Sequence, residues 1–227
     1  MNAMEREQFL AWSRQDFYTR LVGTTLATMR SIMVGHANVN IAVSGGKDSL
    51  VMLDLALQVK PGCFVWHWDY GIYMPREIER EVIGILAKFP IQPGRLILHA
   101  RQSKNAASLA GYRAFFAAIT GHLRENHVTL NFIGLRSEES IARKRRCKTM
   151  FEQNGTVTNA FPLRDWRWKD VWAYIVQYGI TYPSAYDAKA RLLGWDKARF
   201  VTFFDPEFEH LGGMAQDKFL FWRSRDP

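Results

Sequence analysis

Residues 40–57, NIAVSGGKDSLVMLDLAL, run from a short β-rich segment through two adjacent glycines into a segment that is apolar almost all round. A helix without a polar face has to be covered on every side, by a sheet beneath it and by further elements above. A strand that turns straight into such a helix is half of a βαβ unit, and the rest of the chain keeps that rhythm. β-rich runs at 38–44, 63–69, 95–100, 128–135 and 156–163 alternate with segments of helical period. Leu109, Tyr112, Phe116, Ile119 and Leu123 recur at spacings of three and four, as do Trp168, Val171, Trp172, Ile175 and Gly179. The expected fold class is α/β, with a doubly wound, mostly parallel five-stranded sheet. Residues 1–35 read as one or two helices ahead of it, and 183–227 as an extension without clear period.

With 227 residues the chain suits one α/β domain with a sizeable core. Lys and Arg number 30 against 22 Asp and Glu, a net charge of +8 that suits phosphate-bearing ligands or nucleic acid without choosing between them. Two cysteines, Cys63 and Cys147, form no CxxC pair and are too few for a disulfide framework. The start MNAMEREQFLAW is charged from its fifth residue, unlike a secretory signal, and no apolar run approaches the roughly 18 residues of a membrane span. A cytoplasmic protein with two free thiols is the expectation.

The turn after the first strand of an open α/β sheet is an anion site, because the following helix presents free N–H groups there. Gly45 and Gly46 let the backbone approach a phosphate, Ser44 and Ser49 add hydroxyls, and Lys47 adds a mobile charge. Asp48 repels a bare phosphate, so it either holds Mg²⁺ or orients Lys47 or a backbone amide. Two familiar phosphate loops fail on inspection. A Walker A motif would need glycine at 41 and Ser or Thr at 48, where the chain has Ile41 and Asp48; a dinucleotide fingerprint would need separated glycines. In the block FIGLRSEESIARKRR (132–146), a helix beginning near Arg136 would place Arg136, Ser140 and Arg143 on one face, with Glu139 pairing to Arg143 at i, i+4. Two guanidinium groups could then bracket an anion beside the glycine turn, leaving Lys144, Arg145 and Arg146 to solvent.

SGGKDS between a strand and a helix resembles the PP-loop of the ATP pyrophosphatases, the adenine nucleotide alpha hydrolase-like group. WDYGIYMPREIEREV (68–82) is similar to the D-x-G…P segment of the phosphoadenosine phosphosulfate reductase family. FIGLRSEESIARKRR resembles that family's G-[VL]-R-x-E-x-S…R block, and FPLRDWRWKDVWAYIVQYGITYPSAYD (161–187) its PLxxW region ending in YPxxYD. The resemblance covers about residues 38–187 and implies a nucleotide-binding domain over 36–182, between an N-terminal helical segment (1–35) and a C-terminal extension (183–227). Its implied site comprises Lys47, Arg136 and Arg143 as catalytic groups. Ser44, Gly45, Gly46, Lys47, Asp48, Ser49, Asp69, Gly71, Gly134 and Ser140 would hold the nucleotide, with Asp48 toward the metal.

Sulfonucleotide reductases usually carry a degenerate glycine loop and a cysteine in a C-terminal tail, whereas this loop is intact and no cysteine follows Cys147. The resemblance is therefore closer to the ATP sulfurylase small-subunit branch. It implies ATP and Mg²⁺ as cofactors, adenylylation of a small oxyanion such as sulfate, release of pyrophosphate, and a partner subunit or a homo-oligomer. The alternatives are an enzyme that binds adenosine phosphosulfate or its 3′-phosphorylated form and transfers or reduces the sulfo group, and a nucleic-acid sulfur-modification component, the less favoured. His67 and His99 at strand ends could touch nucleotide but are more often simply hydrogen-bonded. Cys147, amid Arg and Lys, could react through a lowered pKa or join an iron–sulfur cluster in an oligomer, although a lone cysteine more often does neither. Helical spacing assigns Trp168 and Trp172 to the core, with Trp166 a candidate for stacking on a base.

Overall fold

The computed structural model describes residues 1–69, 74–100 and 109–199. Helices α1 (Ala3–Ser13) and α2 (Asp16–Met33) lead into β1 (Val39–Val43), α3 (Lys47–Val59), β2 (Phe64–Asp69), α4 (Arg76–Leu86), β3 (Leu96–Ala100), α5 (Leu109–Glu125) and β4 (Leu130–Ile133). A short helix α6 (Ile141–Arg146), a hairpin of β5 (Phe151–Asn154) and β6 (Val157–Ala160), α7 (Trp168–Tyr178) and α8 (Ala185–Leu193) follow. The sheet is α/β and mostly parallel as expected, with six strands in the order β3-β2-β1-β4-β6-β5. The additional strand is β5, the one antiparallel member. Its sequence FEQN is polar apart from Phe151 and lies largely exposed at the sheet edge, so it lacks the apolar alternation that marks the other strands. Gly155, at φ +61°, makes the turn that folds it back on β6.

Strand order places the site. The chain winds outward from β1 through β2 to β3, then returns to lay β4 on the other side of β1. The carboxyl ends of β1 and β4 therefore flank the point where the winding direction reverses, the place at which open α/β sheets bind their ligands. Ser44–Gly46 leave one strand and Gly134–Arg136 the other.

Alternation along β2 fixes the two faces. Trp66 and Trp68 pack on Phe115 of α5, with ring centroids 5.3 and 5.5 Å apart, while His67 between them points to Glu79 of α4. α4 and α5 thus cover opposite sides. α3 is packed against β1, β4, α2 and α7 and buries nearly every side chain, which is why its sequence has no polar stripe. Polar groups that the sheet buries are paired along a ladder. His122 Nε2 meets Asn40 Oδ1 at 2.9 Å, Asn40 donates to Asn131, and Asn131 to Asn159, at 2.8 and 2.9 Å, so neighbouring strands satisfy one another.

The N-terminal helices are part of this core. Trp12 Nε1 donates to Asp170 at 2.8 Å, and the same carboxylate accepts from the Arg167 N–H at 2.7 Å and so caps α7. Gly179, left-handed at φ 65°, ends α7. Phe9 packs against Trp168, Trp172 and Trp195. The segment after residue 183, which shows no period in the sequence, contains the nine-residue helix α8. Two turns are too short for a period to stand out, yet Tyr186 of α8 is buried edge-on against Trp172, 5.2 Å between centroids. Among the described residues no helix is long and apolar enough to cross a membrane.

Candidate nucleotide site at the strand-order reversal

The glycine turn is shaped by its neighbours. Gly45 sits at φ +81°, and a β-carbon there would lie 2.6 Å from a methyl of Val82 in α4. Gly46 caps α3 without a side-chain bond; its N–H donates to Ser44 Oγ at 3.3 Å, and Ser49 Oγ donates back to the Gly46 carbonyl at 2.8 Å. The Lys47 N–H donates to the Tyr186 hydroxyl at 2.9 Å, so α8 supplies a polar group to the first turn of α3. Gly134, at the end of β4, lies so close that a β-carbon would stand 2.8 Å from the Asp48 carbonyl oxygen.

Beyond the turn, cations and carboxylates interlock. Lys47, 1% exposed, donates through Nζ to Asp48 Oδ2 at 2.9 Å, and Arg136, 3% exposed, donates through Nε to Asp48 Oδ1 at 2.5 Å. Arg136 Nη1 reaches Glu138 Oε2 at 2.7 Å, and Nη2 lies 3.8 Å from Glu139 Oε1. Arg143 Nη1 donates to Glu139 in turn. Three cations thus meet three carboxylates, and the cluster is neutral before any ligand arrives. Burial alone would favour the neutral Asp48, but Arg136 and then Lys47 outweigh it and hold the carboxyl well below the usual carboxylate range. Burial lowers the Lys47 ammonium from its ordinary value, with Asp48 opposing. Lys189 of α8 is brought down to about 8, by burial first and then by Arg199 and Lys47.

The residues singled out in the sequence fall into three groups. Ser44, Gly45, Gly46, Lys47, Asp48, Ser49, Gly134 and Arg136 converge at the reversal point. Arg143 and Ser140 join them differently from the helical face expected: Ser137–Glu139 form a 3₁₀ turn and α6 begins at Ile141, with the Ser140 hydroxyl accepting from the Arg143 N–H at 3.1 Å. The N-cap preference of Ser is the physical reason, and it puts Arg136 outside the helix, although the expected pairing of Glu139 with Arg143 is present. Asp69 closes β2 and is clasped by Arg76 at 2.9–3.0 Å, while Gly71 lies outside the described residues.

The remaining candidates have structural employment. Trp166 is buried with Nε1 donating to Thr25 at 2.9 Å, and Trp172 donates to the Trp195 carbonyl, so both are core groups rather than stacking platforms. His99 stacks on Trp68 at 5.0 Å. Cys63 and Cys147 are both buried free thiols, and burial pushes Cys63 up to about 11 and raises Cys147 despite Arg146 and Arg143. The reactive, low-pKa Cys147 considered from sequence is therefore contradicted by its burial. Tyr186, Glu138 and Glu79 carry site geometry that the sequence reading missed; Tyr186 stands in the quoted YPSAYD, but nothing local says that it reaches residue 47.

The phosphoadenosine phosphosulfate reductase domain model matches residues 38–217. The chain belongs to the phosphoadenosine phosphosulfate reductase family. Curated relatives include an adenosine 5′-phosphosulfate reductase of Geobacillus kaustophilus (strain HTA426), 25% identical over 64% of this chain, and a sulfate adenylyltransferase subunit 2 of Mycobacterium sp. (strain KMS), 28% identical over 65%. The chain spans 66% and 57% of the lengths of these two relatives. Among solved structures, phosphoadenylyl-sulfate reductase from Candida auris in its phosphate complex superposes with a TM-score of 0.55 at 16% identity, covering 77% of this chain and 92% of that one. The fold is thus that of the family, which contains enzymes of both kinds.

Proposed function

We propose that the chain binds ATP at residues 44–49 and transfers its adenylyl group to a small oxyanion such as sulfate, releasing pyrophosphate. The observation that carries this reading is the intact SGGKDS turn at the reversal point, with two buried cations, Lys47 and Arg136, drawn onto one carboxylate beside it. In the reaction an acceptor oxygen bonds to the α-phosphorus, the bridging α–β oxygen bond breaks, and the electron pair leaves on pyrophosphate. No general base is required, because the acceptor is already an anion. The turn N–H groups and the Ser44 and Ser49 hydroxyls would hold phosphate oxygens, and Lys47 and Arg136 would exchange Asp48 for the departing charge. The phosphate therefore competes with Asp48, whose role is to keep two cations together while the site waits.

Asp48 would be open to a metal only once Lys47 and Arg136 have turned to the phosphates. Both oxygens serve cations, and among the described residues no group of three His, Cys, Asp or Glu side chains converges. A divalent ion arriving with the nucleotide would supply positive charge to the departing pyrophosphate, with Asp48 the residue to hold it. The resemblance to a protein named as a subunit supports a partner subunit here as well.

Sulfate-dependent exchange of labelled pyrophosphate into ATP tests the reading. Exchange should occur with the wild-type chain and its partner subunit and fall about a hundredfold in Lys47→Met, the loss of a charge-assisted contact to the leaving group. A second reading, binding of adenosine phosphosulfate, is favoured by the likeness to the Geobacillus reductase. It predicts no exchange.

A further inference from the structure

Behind the glycine turn lies a buried pair of titratable side chains that plays no part in the chemistry above. His67 and Glu79 are each 1% exposed. His67 Nδ1 lies 2.8 Å from the carbonyl of Val43, the residue immediately before Ser44, and Nε2 lies 2.9 Å from Glu79 Oε1. A carbonyl oxygen only accepts, so Nδ1 carries a proton. Nε2 faces a carboxyl oxygen, so a second proton lies between the two groups, whether as imidazolium with carboxylate or as imidazole with carboxylic acid. The pair holds the same number of protons either way and is neutral as a unit. Glu79 Oε2 has no hydrogen-bond partner among the described residues.

Burying such a pair brings little stability over apolar residues of similar volume. Its place suggests another purpose. Val82, three residues after Glu79 on α4, is the side chain against which Gly45 packs. One helix therefore holds the turn at two points, the Val43 carbonyl through His67 and the Gly45 backbone through Val82. We propose that His67 and Glu79 are positioning residues for the glycine turn: the imidazole ties the Val43 carbonyl to α4 and so sets the direction of the Ser44 hydroxyl and of the Gly45 and Gly46 N–H groups. Neither side chain touches the nucleotide. The inference rests on the nucleotide reading for its consequence, not for its geometry.

Two half-variants separate positioning from filling. His67→Asn keeps an N–H where Nδ1 stands and loses Glu79; His67→Gln keeps an amide where Nε2 stands and loses the Val43 carbonyl. Backbone amide NMR and calorimetric titration with ATP are read on both, with melting temperatures as control. We expect melting temperatures close to wild type in both and, because each variant cuts one end of the tie between the Val43 carbonyl and Glu79, displaced Gly45 and Gly46 amide shifts with about a tenfold weaker ATP affinity in each. Wild-type amide shifts in either folded variant overturn the proposal. If neither folds, Glu79→Ala should displace the Gly46 amide and Glu79→Gln, which can still donate to Nε2, should restore it; a Glu79→Ala spectrum identical to wild type overturns it as well. Failure of the wild type to bind ATP would count against the nucleotide reading alone, since the amide shifts are measured without ligand.

Discussion

Asp48→Asn is expected to cost the folded state about 3–5 kcal/mol, the range for removing one partner of a buried ion pair. The substitution keeps the shape but leaves Lys47 and Arg136 as two buried cations converging on an uncharged group. For a chain of this size that energy corresponds to a fall of about 6–20 °C in melting temperature. The effect has a pH signature with a definite sign. The Asp48 carboxyl is held below its ordinary value of 3.8, so its contribution is fully present above that value and is lost as pH falls through the depressed one. The gap in melting temperature between wild type and Asp48→Asn should therefore be constant above about pH 5 and shrink below about pH 4. A gap that stays constant into strong acid would mean that the carboxylate does not hold the two cations.

Gly134→Ala should also destabilise the fold, for a purely steric reason. The added carbon meets the Asp48 carbonyl oxygen at 2.8 Å and the Ser49 Cα at 3.0 Å, so backbone collides with backbone and no side chain can turn away. Overpacking of this kind costs about 1–3 kcal/mol, and here relief requires moving the start of α3 away from the end of β4. Nucleotide affinity should fall together with stability, because the displaced residues are those of the turn. Gly45→Ala offers the contrast. Its clash is with the Val82 methyls, so Val82→Ala in the same chain should recover part of the loss and leave the strain of φ +81°, about 1–2 kcal/mol. Calorimetric unfolding of the three variants, Gly134→Ala, Gly45→Ala and Gly45→Ala with Val82→Ala, checks both statements. Rescue of Gly134→Ala by trimming any neighbouring side chain would show that the close approach is not between main chains.

The parts legible in the sequence are those governed by local periodicity. All five expected strands appear, within two or three residues at each end, because apolar alternation or a continuous apolar run marks a buried strand. β5 carries neither mark. The spacing of Arg136, Ser140 and Arg143 predicts a helix from about residue 136, whereas Ser140 acts as an N-cap, starts α6 at Ile141 and holds Arg136 outside. Clustering of Lys47, Asp48 and Arg136 follows from the strand order. The drawing of both cations onto one carboxylate does not, since it depends on side-chain directions that no spacing rule supplies. Tyr186 and Lys47 are 139 positions apart, and His67 and Glu79 lie in different element types. Such pairs are brought together by packing alone.

The central claim is that the turn at 44–49 is built for the phosphates of ATP. Its most direct test is isothermal titration of the same preparation, in magnesium-containing buffer, with ATP, adenosine phosphosulfate and 3′-phosphoadenosine phosphosulfate in parallel. The account predicts one ATP per chain, bound at least as tightly as either phosphosulfate and lost in Lys47→Met. Tight binding of a phosphosulfate with no measurable binding of ATP would contradict it.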